Sequence, residues 1–442
     1  MKKSIYAVFD VGKTNKKVIL FDEERRIIDE HQQVCLETVD EEGFPCETLS
    51  RLSQWVHDRW NALRHNAHYN LKGVNFTSYG ASYVHLGANG QPILPLYNYL
   101  KPLPEMMQDR FFAELEQSPE EFAAETCSPK LGMLNSGMQL YWLKHHKPDQ
   151  YARIRTSLHL PQYLSYLITG EAFSDYTSVG CHTGLWNFKL GRYHDWVYRE
   201  GIDDKLAPLT KDSIASVVDG ILVGVGLHDS SAALVPYMQE DEKPFLLVST
   251  GTWAVTFNPF NREPLTPELL RRDCLSYLSP KGEMTKASRV FFGREHDFQV
   301  QRIAHHFHVK PDFYQSLIIA RPYEEVSHPF HPWCMRGTGP FPEEQVSEWD
   351  LSGFKSAADA YQHLMHGLMR ILTASINLIR KEEKLIYVDG GFARNPLFMQ
   401  LLAANFPGVK IRTLEVPQAT ALGALIHMEQ GEAWKKTQLL FS

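Results

Sequence analysis

One local pattern, a strand followed by a polar turn with glycine and then a second strand, occurs in each half of the chain and constrains the fold most. The runs that form it are Ile5–Phe9 and Val18–Phe21 in the first half, and Phe245–Val248 and Trp253–Phe257 in the second. Short runs of β-branched and aromatic residues bounded by glycine and polar residues are typical of antiparallel strands joined by a tight turn. The sequence therefore predicts an α/β fold in which two halves share one organisation.

The remaining periodic segments extend this pattern in both halves. In the first half they are the strand Arg26–Val34, the helix Leu49–Leu63 and the strand Leu71–Phe76. In the second half they are the helices Ala357–Arg380, Pro396–Asn405 and Ala419–Glu429 and the strands Leu385–Val388 and Val409–Arg412. Residues 101–210 are rich in helix formers and indicate a helical insertion, whereas residues 260–350, which include the proline- and glycine-dense Pro329–Pro342, are expected to be irregular.

Length and charge limit the classes of protein to which the chain can belong. At 442 residues the chain exceeds one ordinary core, and the charged stretch Tyr237–Pro244 predicts a link between domains 1–238 and 239–442. The formal net charge is −7 and no long basic run occurs, which argues against a nucleic-acid partner. No apolar run approaches the ~20 residues of a membrane helix, so no membrane partner is expected and a cytoplasmic location is predicted.

Cysteine and histidine spacing gives no sign of a metal or a disulfide framework. The six cysteines form no C-x-x-C pair. The three histidines in His305–His308 have no cysteine or carboxylate that would complete a ligand set, so they are interpreted as the end of a helix.

The first glycine turn carries residues suited to a phosphate group. Gly12 permits a tight turn in which backbone N–H groups converge on one anion, and Lys13, Thr14 and Asn15 add donors. Asp10 is the candidate ligand for Mg²⁺, through water. The glycine and lysine spacing of a P-loop is absent, and a strand follows the turn in place of a helix. An ordinary hairpin turn is the alternative interpretation.

Two further glycine turns occur in the second half. Ser249–Thr252 is equivalent in position to the first turn, so a cleft between the halves would hold a triphosphate from both sides. Asp389–Gly391 follows a strand and opens a helix, where glycine lets the backbone approach a nucleoside. The structural alternatives are a hydroxyl-capped turn for the first and a loop with Asn395 as N-cap before Pro396 for the second.

Asp229 is the candidate catalytic residue. It follows the apolar run Ile221–Leu227 and precedes a run of small residues. A carboxylate within reach of a substrate hydroxyl can accept its proton as a general base, and phosphoryl transfer otherwise depends on positioning and charge neutralisation. The alternative is a helix N-cap. His228 is expected to point away from the site and to be structural.

Taken in order, these motifs resemble those of the FGGY carbohydrate kinases, within the sugar kinase–actin–chaperone superfamily, over nearly the whole chain. The matching residues are Asp10, Gly12, Thr14 and Lys17 for the first phosphate motif, Ser249–Thr252 for the second, Gly226–Asp229 for the catalytic motif, and Gly390, Gly391, Asn395, Gln400 and Ala419–Ala424 for the adenosine motif and the closing helix.

The resemblance implies two ribonuclease-H-like (actin-like ATPase) domains that flank a nucleotide and sugar cleft, with Mg²⁺ and ATP as cofactors. The implied ATP-binding residues are Gly12, Lys13, Thr14, Asn15, Lys17, Gly251, Thr252, Gly390, Gly391 and Asn395. The implied substrate-binding residues are Tyr79, Gly80, Ser82, Gln139 and Asp229.

Within the family the chain is most similar to the rhamnulokinase branch. The shared segments are Leu160–Tyr166, Thr169–Gly170, Asp175–Thr177, His228–Ala232 and Ser249–Trp253. Two residues depart from the family pattern: Ser82 replaces an acid that would contact sugar hydroxyls, and Lys13 replaces a small or hydroxyl residue.

The sequence is therefore interpreted as an ATP-dependent kinase of a small ketose, such as an L-rhamnulose-like deoxyketose or a ketopentose. Three alternatives remain at this point. They are a kinase of another sugar or polyol (L-fuculose, xylulose, glycerol), a nucleotide-driven actin- or chaperone-like binding module, and a sugar sensor without activity. A homodimer is a candidate assembly.

Overall fold

The computed structural model describes residues 2–240, 243–317, 330, 332–344, 348–414 and 416–441. Contacts between residues divide the chain into two compact units. Unit 1 comprises Met1–Glu240, Tyr277–Glu283 and Pro417–Ser442, and unit 2 comprises Asp241–Ser276 and Met284–Val416. The last helix thus belongs to unit 1 although it follows unit 2 in the chain. The domain boundaries 1–238 and 239–442 stay a prediction.

The elements up to the link are β1 (Lys3–Val11), β2 (Asn15–Phe21), β3 (Ile27–Val34), β4 (Glu37–Val39), β5 (Pro45–Glu47), α1 (Leu49–Arg64), β6 (Tyr69–Ser78), β7 (Tyr83–Leu86), α2 (Glu105–Ala113), α3 (Pro119–Thr126), α4 (Ser136–His146), α5 (Pro148–Arg153), β8 (Thr156–His159), α6 (Leu160–Thr169), β9 (Ser174–Asp175), α7 (Tyr176–Val179), β10 (Trp186–Asn187), β11 (Arg192–Tyr193), α8 (Asp195–Arg199), β12 (Leu209–Thr210), β13 (Ile214–Val218), β14 (Ile221–Gly224), β15 (Leu227–His228), α9 (Asp229–Ala232) and α10 (Val235–Glu240).

The elements after the link are β16 (Leu246–Thr250), β17 (Ala254–Asn258), α11 (Pro267–Arg271), β18 (Cys274–Leu278), β19 (Met284–Val290), α12 (Phe292–Phe307), α13 (Ala357–Ile379), β20 (Leu385–Gly390), α14 (Pro396–Asn405), β21 (Lys410–Thr413) and α15 (Ala419–Phe441). Short 3₁₀ helices span Gly132–Leu134, Asp203–Lys205, Phe313–Ser316 and Gly391–Arg394.

The central sheet of unit 1 has the strand order β13-β14-β6-β1-β2-β3. β1, β2 and β3 form an antiparallel meander, β6 and β14 continue the sheet in parallel beside β1, and β15 pairs with the end of β6. Phe9 packs with Trp55 and Phe76 on one face of β1, whereas Val8 packs with Met428 of α15 on the other. Burial on both faces explains why β1 is a continuous apolar run in the sequence.

The sheet of unit 2 repeats this arrangement, in the order β18-β19-β17-β16-β20-β21. β16, β17 and β19 form the antiparallel meander, and β20 and β21 continue the sheet in parallel on the other side of β16. Both units therefore have the ribonuclease-H-like strand order, and the predicted duplicated organisation is confirmed.

The expectation that residues 260–350 are irregular is wrong for much of that range. It contains α11, β18, β19 and α12, a helix of 16 residues. The buried face of α12 includes Glu295, His296 and Gln299. These polar residues interrupt the apolar periodicity by which a helix is recognised in a sequence.

Several minor expectations concern metals, membranes and loops. Within the described ranges, no helix is long and apolar enough to cross a membrane, and no three histidine, cysteine, aspartate or glutamate side chains group as metal ligands. His305 and His306 lie in the last turn of α12, as the sequence predicts. The link Tyr237–Pro244 and the segment Pro329–Pro342 fall partly outside the described residues.

α15 packs against the short helix α9, whose first residue is Asp229. A Cβ atom on Gly423 would lie 1.9 Å from the carbonyl oxygen of Ala232 in α9, and a backbone oxygen cannot rotate away. We expect Gly423→Ala to lower the free energy of unfolding by about 1–2 kcal/mol, because overpacking outweighs the roughly 1 kcal/mol that alanine gains over glycine in a helix. Urea unfolding measures the difference.

Gly431→Ala, in the same helix, is the matched control. There an added Cβ atom would come within 1.9 Å of the Ser213 hydroxyl, which a rotation of that side chain can move. Equal free energies of unfolding for the two variants would show that α15 does not constrain α9.

Candidate active site

Three of the predicted motifs of unit 1 lie together at one edge of its sheet. β1, β6 and β15 are parallel, so their carboxyl ends are at the same edge. The register pairs Asp10 with Thr77 and Ser78 with His228. The structure therefore brings together the turn after Asp10, the segment Tyr79–Ser82 that follows β6, and Asp229, which follows β15.

The carboxylate of Asp10 is largely buried and, within the part of the chain that the structure describes, accepts one close hydrogen bond, from the Thr77 hydroxyl at 2.8 Å. Burial raises the pKa of Asp10, the negative charge of Asp229 raises it further, and the Thr77 hydrogen bond and the charge of Lys17 act in the opposite direction. Asp10 and Asp229 are thus close enough to repel each other. A hard divalent cation with oxygen ligands would relieve this repulsion, so the residues present fit Mg²⁺.

The lysines of the first turn are engaged by acids. The Lys13 ammonium lies 2.8 Å from Glu37 and 5.9 Å from the centre of the Tyr79 ring, and the Lys17 ammonium lies 3.2 Å from Glu30. The prediction that Lys13 and Lys17 contact ATP stays a prediction, and in this conformation their charges are paired within unit 1. The side chain of Asn15 accepts a hydrogen bond from Gln32 at 2.8 Å.

The turn itself is closed by a hydrogen bond from the Gly12 amide to the Asn15 carbonyl at 2.9 Å. Lys16 lies beneath it, fully buried, with its ammonium on the Gly12 and Lys13 carbonyls and on Glu47. Sequence reasoning missed Lys16 and Glu47. The only signal was a second lysine in the turn, which by itself is typical of an exposed charge.

The Asp229 side chain is one-third exposed, 33%, and begins α9. Its Oδ1 accepts a hydrogen bond from the Ser230 amide at 2.6 Å and lies 3.2 Å from Nε2 of His228. The expectation that His228 points away from the site is therefore wrong. The imidazole is buried and contacts the carboxylate, so it limits the positions that Asp229 can adopt.

The ring of His228 occupies space that exists because residue 80 is glycine. A Cβ atom on Gly80 would lie 2.9 Å from Cδ2 of His228. The ring is also 3.4 Å from Sγ of Cys181, and burial raises the pKa of that thiol well above its usual value. The predicted substrate residue Gly80 and the predicted catalytic residue Asp229 are therefore joined through His228.

Tyr79, Ser82 and Gln139, predicted to bind substrate, form one buried group behind this edge. Burial raises the pKa of Tyr79 well above its usual value, and the nearby Ser82 hydroxyl acts in the opposite direction. Nε2 of Gln139 donates to the carbonyl oxygens of Ala81 at 2.6 Å and Met133 at 2.7 Å. Ala81 has φ of 59°, a strained conformation for a residue with a side chain, and the Gln139 bond holds it there.

A buried carboxylate supports the strand that carries His228. Asp175 accepts hydrogen bonds from the side chains of Gln162 and Thr177 and from the amides of Thr177 and Ser178. The Thr177 hydroxyl oxygen accepts a hydrogen bond from the His228 amide at 2.9 Å. The segment Asp175–Thr177, noted for its family resemblance, therefore fixes the backbone just before Asp229.

In unit 2 the two predicted glycine turns are neighbours. β16 and β20 are parallel, with Thr250 paired to Gly390, so Gly251 and Thr252 lie beside Gly391. The Thr250 hydroxyl donates to the Asp389 carbonyl at 2.6 Å and accepts from the Phe392 amide at 3.1 Å. Gly390 has φ of 86°, and a Cβ atom there would lie 1.9 Å from the Thr250 carbonyl oxygen. Only glycine fits this close approach.

A cavity of about 730 Å³ opens next to these turns. Its lining consists of aromatic and polar side chains from α12, α13, α14 and the 3₁₀ helices, namely His296, Asp297, Tyr314, Gln315, Leu317, Tyr361, Gly391, Phe392, Arg394, Asn395, Pro396, Leu397 and Gln400. The volume and the aromatic faces are those of a pocket for a planar small molecule.

Asn395 has two structural bonds at the rim of this cavity. Its Oδ1 accepts from the Phe398 amide, which makes it the N-cap of α14, and its Nδ2 donates to the Tyr361 hydroxyl at 2.8 Å. The N-cap interpretation is confirmed. The rings of Tyr361 and Tyr314 stack with centroids 5.1 Å apart. Sequence reasoning missed both tyrosines, and no local motif surrounds either of them.

Two family models match the chain. Residues 5–234 match the N-terminal domain of the FGGY family of carbohydrate kinases, and residues 242–436 match the C-terminal domain of carbohydrate kinase FGGY. The chain belongs to the FGGY family of carbohydrate kinases. As a member of this family it is an ATP-dependent sugar kinase.

Curated relatives are distant and differ in substrate. A probable L-xylulose kinase of Pasteurella multocida is 26% identical over 320 residues, which are 66% of this chain and 62% of that protein. A rhamnulokinase of Oceanobacillus iheyensis is 21% identical over 420 residues, which are 88% of this chain and 84% of that protein. The chain thus spans less than two thirds of the first relative and most of the second.

Solved structures share the fold over nearly the whole chain. A carbohydrate kinase from Novosphingobium aromaticivorans has a TM-score of 0.82 at 25% identity, and the match covers 96% of this chain and 93% of that one. A xylulose kinase from Lactobacillus acidophilus has a TM-score of 0.77 at 15% identity, covering 98% and 90%. The second likeness shows the fold alone.

The raised pKa of Asp10 predicts how the free energy of unfolding depends on pH. The Asp10 carboxyl group binds its proton more tightly in the native state than in the unfolded state. Ionisation of Asp10 therefore lowers the free energy of unfolding as the pH rises from the ordinary pKa of aspartate to the raised pKa of the native state. Asp10→Asn keeps an oxygen that accepts from Thr77 and removes the charge. We expect the variant to be more stable than the wild type at pH 7, with the difference shrinking as the pH falls through that interval.

Urea unfolding at neutral and acid pH provides the measurement, with Asp212→Asn, an exposed aspartate, as the control. A wild type that equals or exceeds Asp10→Asn in stability at pH 7 would show that the buried charge is compensated.

Proposed function

We propose that Asp229 deprotonates a hydroxyl of a small ketose, which then attacks the γ-phosphorus of ATP. One observation carries this assignment: a partly exposed carboxylate, oriented by His228, lies at the same sheet edge as the buried carboxylate of Asp10. A general base needs access to the substrate and a fixed position. Asp10 has the burial and Asp229 the exposure, so the two acids have different roles.

In the proposed reaction the sugar oxygen forms the new bond to phosphorus as the bond from phosphorus to the β,γ-bridging oxygen breaks. The proton of the sugar hydroxyl passes to the Asp229 carboxylate, and ADP leaves. Mg²⁺, held near Asp10 through water, would neutralise charge on the phosphates. The backbone amides of the turn from Gly12 to Asn15 would add donors to the same phosphates.

The cavity of unit 2 supports the nucleoside assignment. Gly391 lines this cavity and Gly390 is paired with Thr250, so the phosphates would lie beside the turns Gly251–Thr252 and Gly390–Gly391. The base would lie among the aromatic rings, in contact with Tyr314, Tyr361 or Phe392. Asn395 is included as a residue that shapes the pocket, because its side chain already caps α14 and bonds Tyr361.

For the acceptor we propose a ketose of the L-rhamnulose or ketopentose type. The relatives named as rhamnulokinase and probable L-xylulose kinase support this class. Tyr79, Gly80, Ser82 and Gln139 are proposed as the residues that shape its site. ADP release with L-rhamnulose, L-xylulose, L-fuculose and glycerol tests the proposal. Release that no sugar stimulates would favour a nucleotide-driven binding module instead. The cytoplasmic location and the homodimer stay predictions.

Replacing the proposed base tests the mechanism. We expect Asp229→Asn to bind ATP and sugar as the wild type does but to reduce kcat about 10²–10⁴-fold, because general-base assistance supplies a factor of that size. Single-turnover kinetics and calorimetry separate chemistry from binding. Asp219→Asn, an exposed carboxylate of unit 1 that pairs with Arg64, is the control. A variant that keeps more than roughly a tenth of kcat would make Asp229 a helix cap only.

Substrate choice is tested at Ser82, which is buried near Tyr79. We expect Ser82→Asp to change the ratio of kcat/KM between sugars by about tenfold or more, because a charge-assisted hydrogen bond would replace a neutral one. ATP affinity should not change. Ser82→Thr, which keeps the hydroxyl, is the matched control. A uniform loss over all sugars would mean that Ser82 supports the fold and does not select the substrate.

A further inference from the structure

Lys16 is a lysine with no exposed surface, 0%. A buried ammonium is costly unless charged and polar groups surround it. Here the Nζ atom lies 2.7 Å from Oε2 of Glu47 and 3.1 Å from the carbonyl oxygens of both Gly12 and Lys13. All the hydrogen-bonding capacity of the ammonium is therefore directed at one acid and at the turn that carries the first phosphate motif.

The acid comes from a separate element, the hairpin formed by β4 and β5. Glu47 ends β5, and its partner across the hairpin is Glu37 of β4. Glu37 pairs with Lys13, the first lysine of the turn, at 2.8 Å. Two neighbouring glutamates of one hairpin thus hold Lys13 in the turn and Lys16 at the start of β2, the Lys16 pair buried and the Lys13 pair partly exposed.

The hairpin is in turn anchored to the segment of unit 1 that connects β7 and α2. Nδ2 of Asn98 donates to the Pro45 carbonyl at 3.0 Å, and the buried ammonium of Lys101 lies 2.5 Å from Asp40 at the hairpin loop. The position of Glu47 is therefore set by residues other than the turn.

Peptide geometry and these contacts together determine the direction in which the N–H groups of the turn point. In a trans peptide the C=O of one residue and the N–H of the next point in opposite directions. Because the Gly12 and Lys13 carbonyls are aimed at the Lys16 ammonium, the N–H groups of Lys13 and Thr14 are aimed away from it. Neither amide donates a hydrogen bond to another of the described residues. Both are available to an anion.

We propose that Lys16, locked by Glu47, is a positioning residue that presents the amides of Lys13 and Thr14 to a phosphate group of the nucleotide. The inference rests on the proposed function and adds to it a residue that never touches the ligand. Without the buried ammonium, the two carbonyls would lose their partner and the peptide planes could rotate, so the amides would no longer converge.

The test uses the double variant Lys16→Met/Glu47→Gln, which keeps both side-chain volumes and leaves no unpaired buried charge. Calorimetry measures the Kd of ATP and of adenosine, without sugar. We expect the Kd of ATP to rise about ten- to a hundredfold, as loss of one or two hydrogen bonds to a charged group implies. The Kd of adenosine should stay within about twofold, since adenosine has no phosphate for the turn to bind.

Lys144→Met is the control for the loss of a lysine ion pair in unit 1, because Lys144 pairs with Glu200 at 2.8 Å. It should lower the melting temperature without changing the Kd of ATP. Equal losses of ATP and adenosine affinity in the double variant would indicate a general structural role and overturn the inference. So would an unchanged Kd of ATP in a folded double variant. A wild type that binds ATP but phosphorylates no sugar would instead contradict the proposed function and leave this comparison intact.

Discussion

The register of the parallel strands β1, β6 and β15 is the constraint on which the chemistry of unit 1 depends. Because Asp10 is level with Thr77 and Ser78 is level with His228, three distant segments of the chain end side by side. A shift of one residue would turn Asp10 to the other face of the sheet and break its bond with Thr77. The register is fixed by the apolar residues of β1, which are buried on both faces. Burial of one such side chain contributes about 1.5–3 kcal/mol, as much as a hydrogen bond to a charged group, and β1 buries several of them. The apolar core of unit 1 therefore determines where the polar groups at the ends of these strands lie.

Unit 2 uses the same strand order to build a different surface. At the carboxyl edge of unit 1 the side chains are acids, a histidine and lysines, whereas at the equivalent edge of unit 2 they are hydroxyls beside glycines. Gly390 lies so close to the Thr250 carbonyl that no other residue fits, and the cavity next to it is lined by aromatic rings. One topology thus offers a charged edge in one unit and an aromatic pocket in the other. Fold fixes where the strands end, and the residues at those ends decide the chemistry.

Features of the fold and of the site that depend on local sequence patterns could be predicted. Features that depend on contacts between distant residues could not. The strands β1, β2 and β16 are short apolar runs that can be recognised in the sequence. The helix α14 begins at Pro396 after an Asn395 cap, as expected. The helix α12 was missed because Glu295, His296 and Gln299 lie on its buried face. The contact between His228 and Asp229 depends on the absent side chain of Gly80, far away in the chain. The role of Lys16 was not predicted, because its partner Glu47 is brought to it only by the hairpin of β4 and β5.

Three buried charges of unit 1 differ in how well the fold compensates them, and the difference bears on where a cation belongs. Lys16 has three oxygens around its ammonium, and Asp175 accepts from Gln162, Thr177 and Ser178. Among the described residues Asp10 accepts one close hydrogen bond, from Thr77, and is repelled by Asp229, with the positive charge of Lys17 acting against that repulsion. Removing water from a charge without replacing its hydrogen bonds costs free energy. The negative charge of Asp10 is therefore less well compensated than that of Asp175, and a divalent cation at Asp10, as we propose, would relieve it. Asp175 is more deeply buried than Asp10, but its oxygens already accept hydrogen bonds. We therefore place the proposed metal at Asp10 because this carboxylate has fewer hydrogen-bond donors around it than Asp175 has.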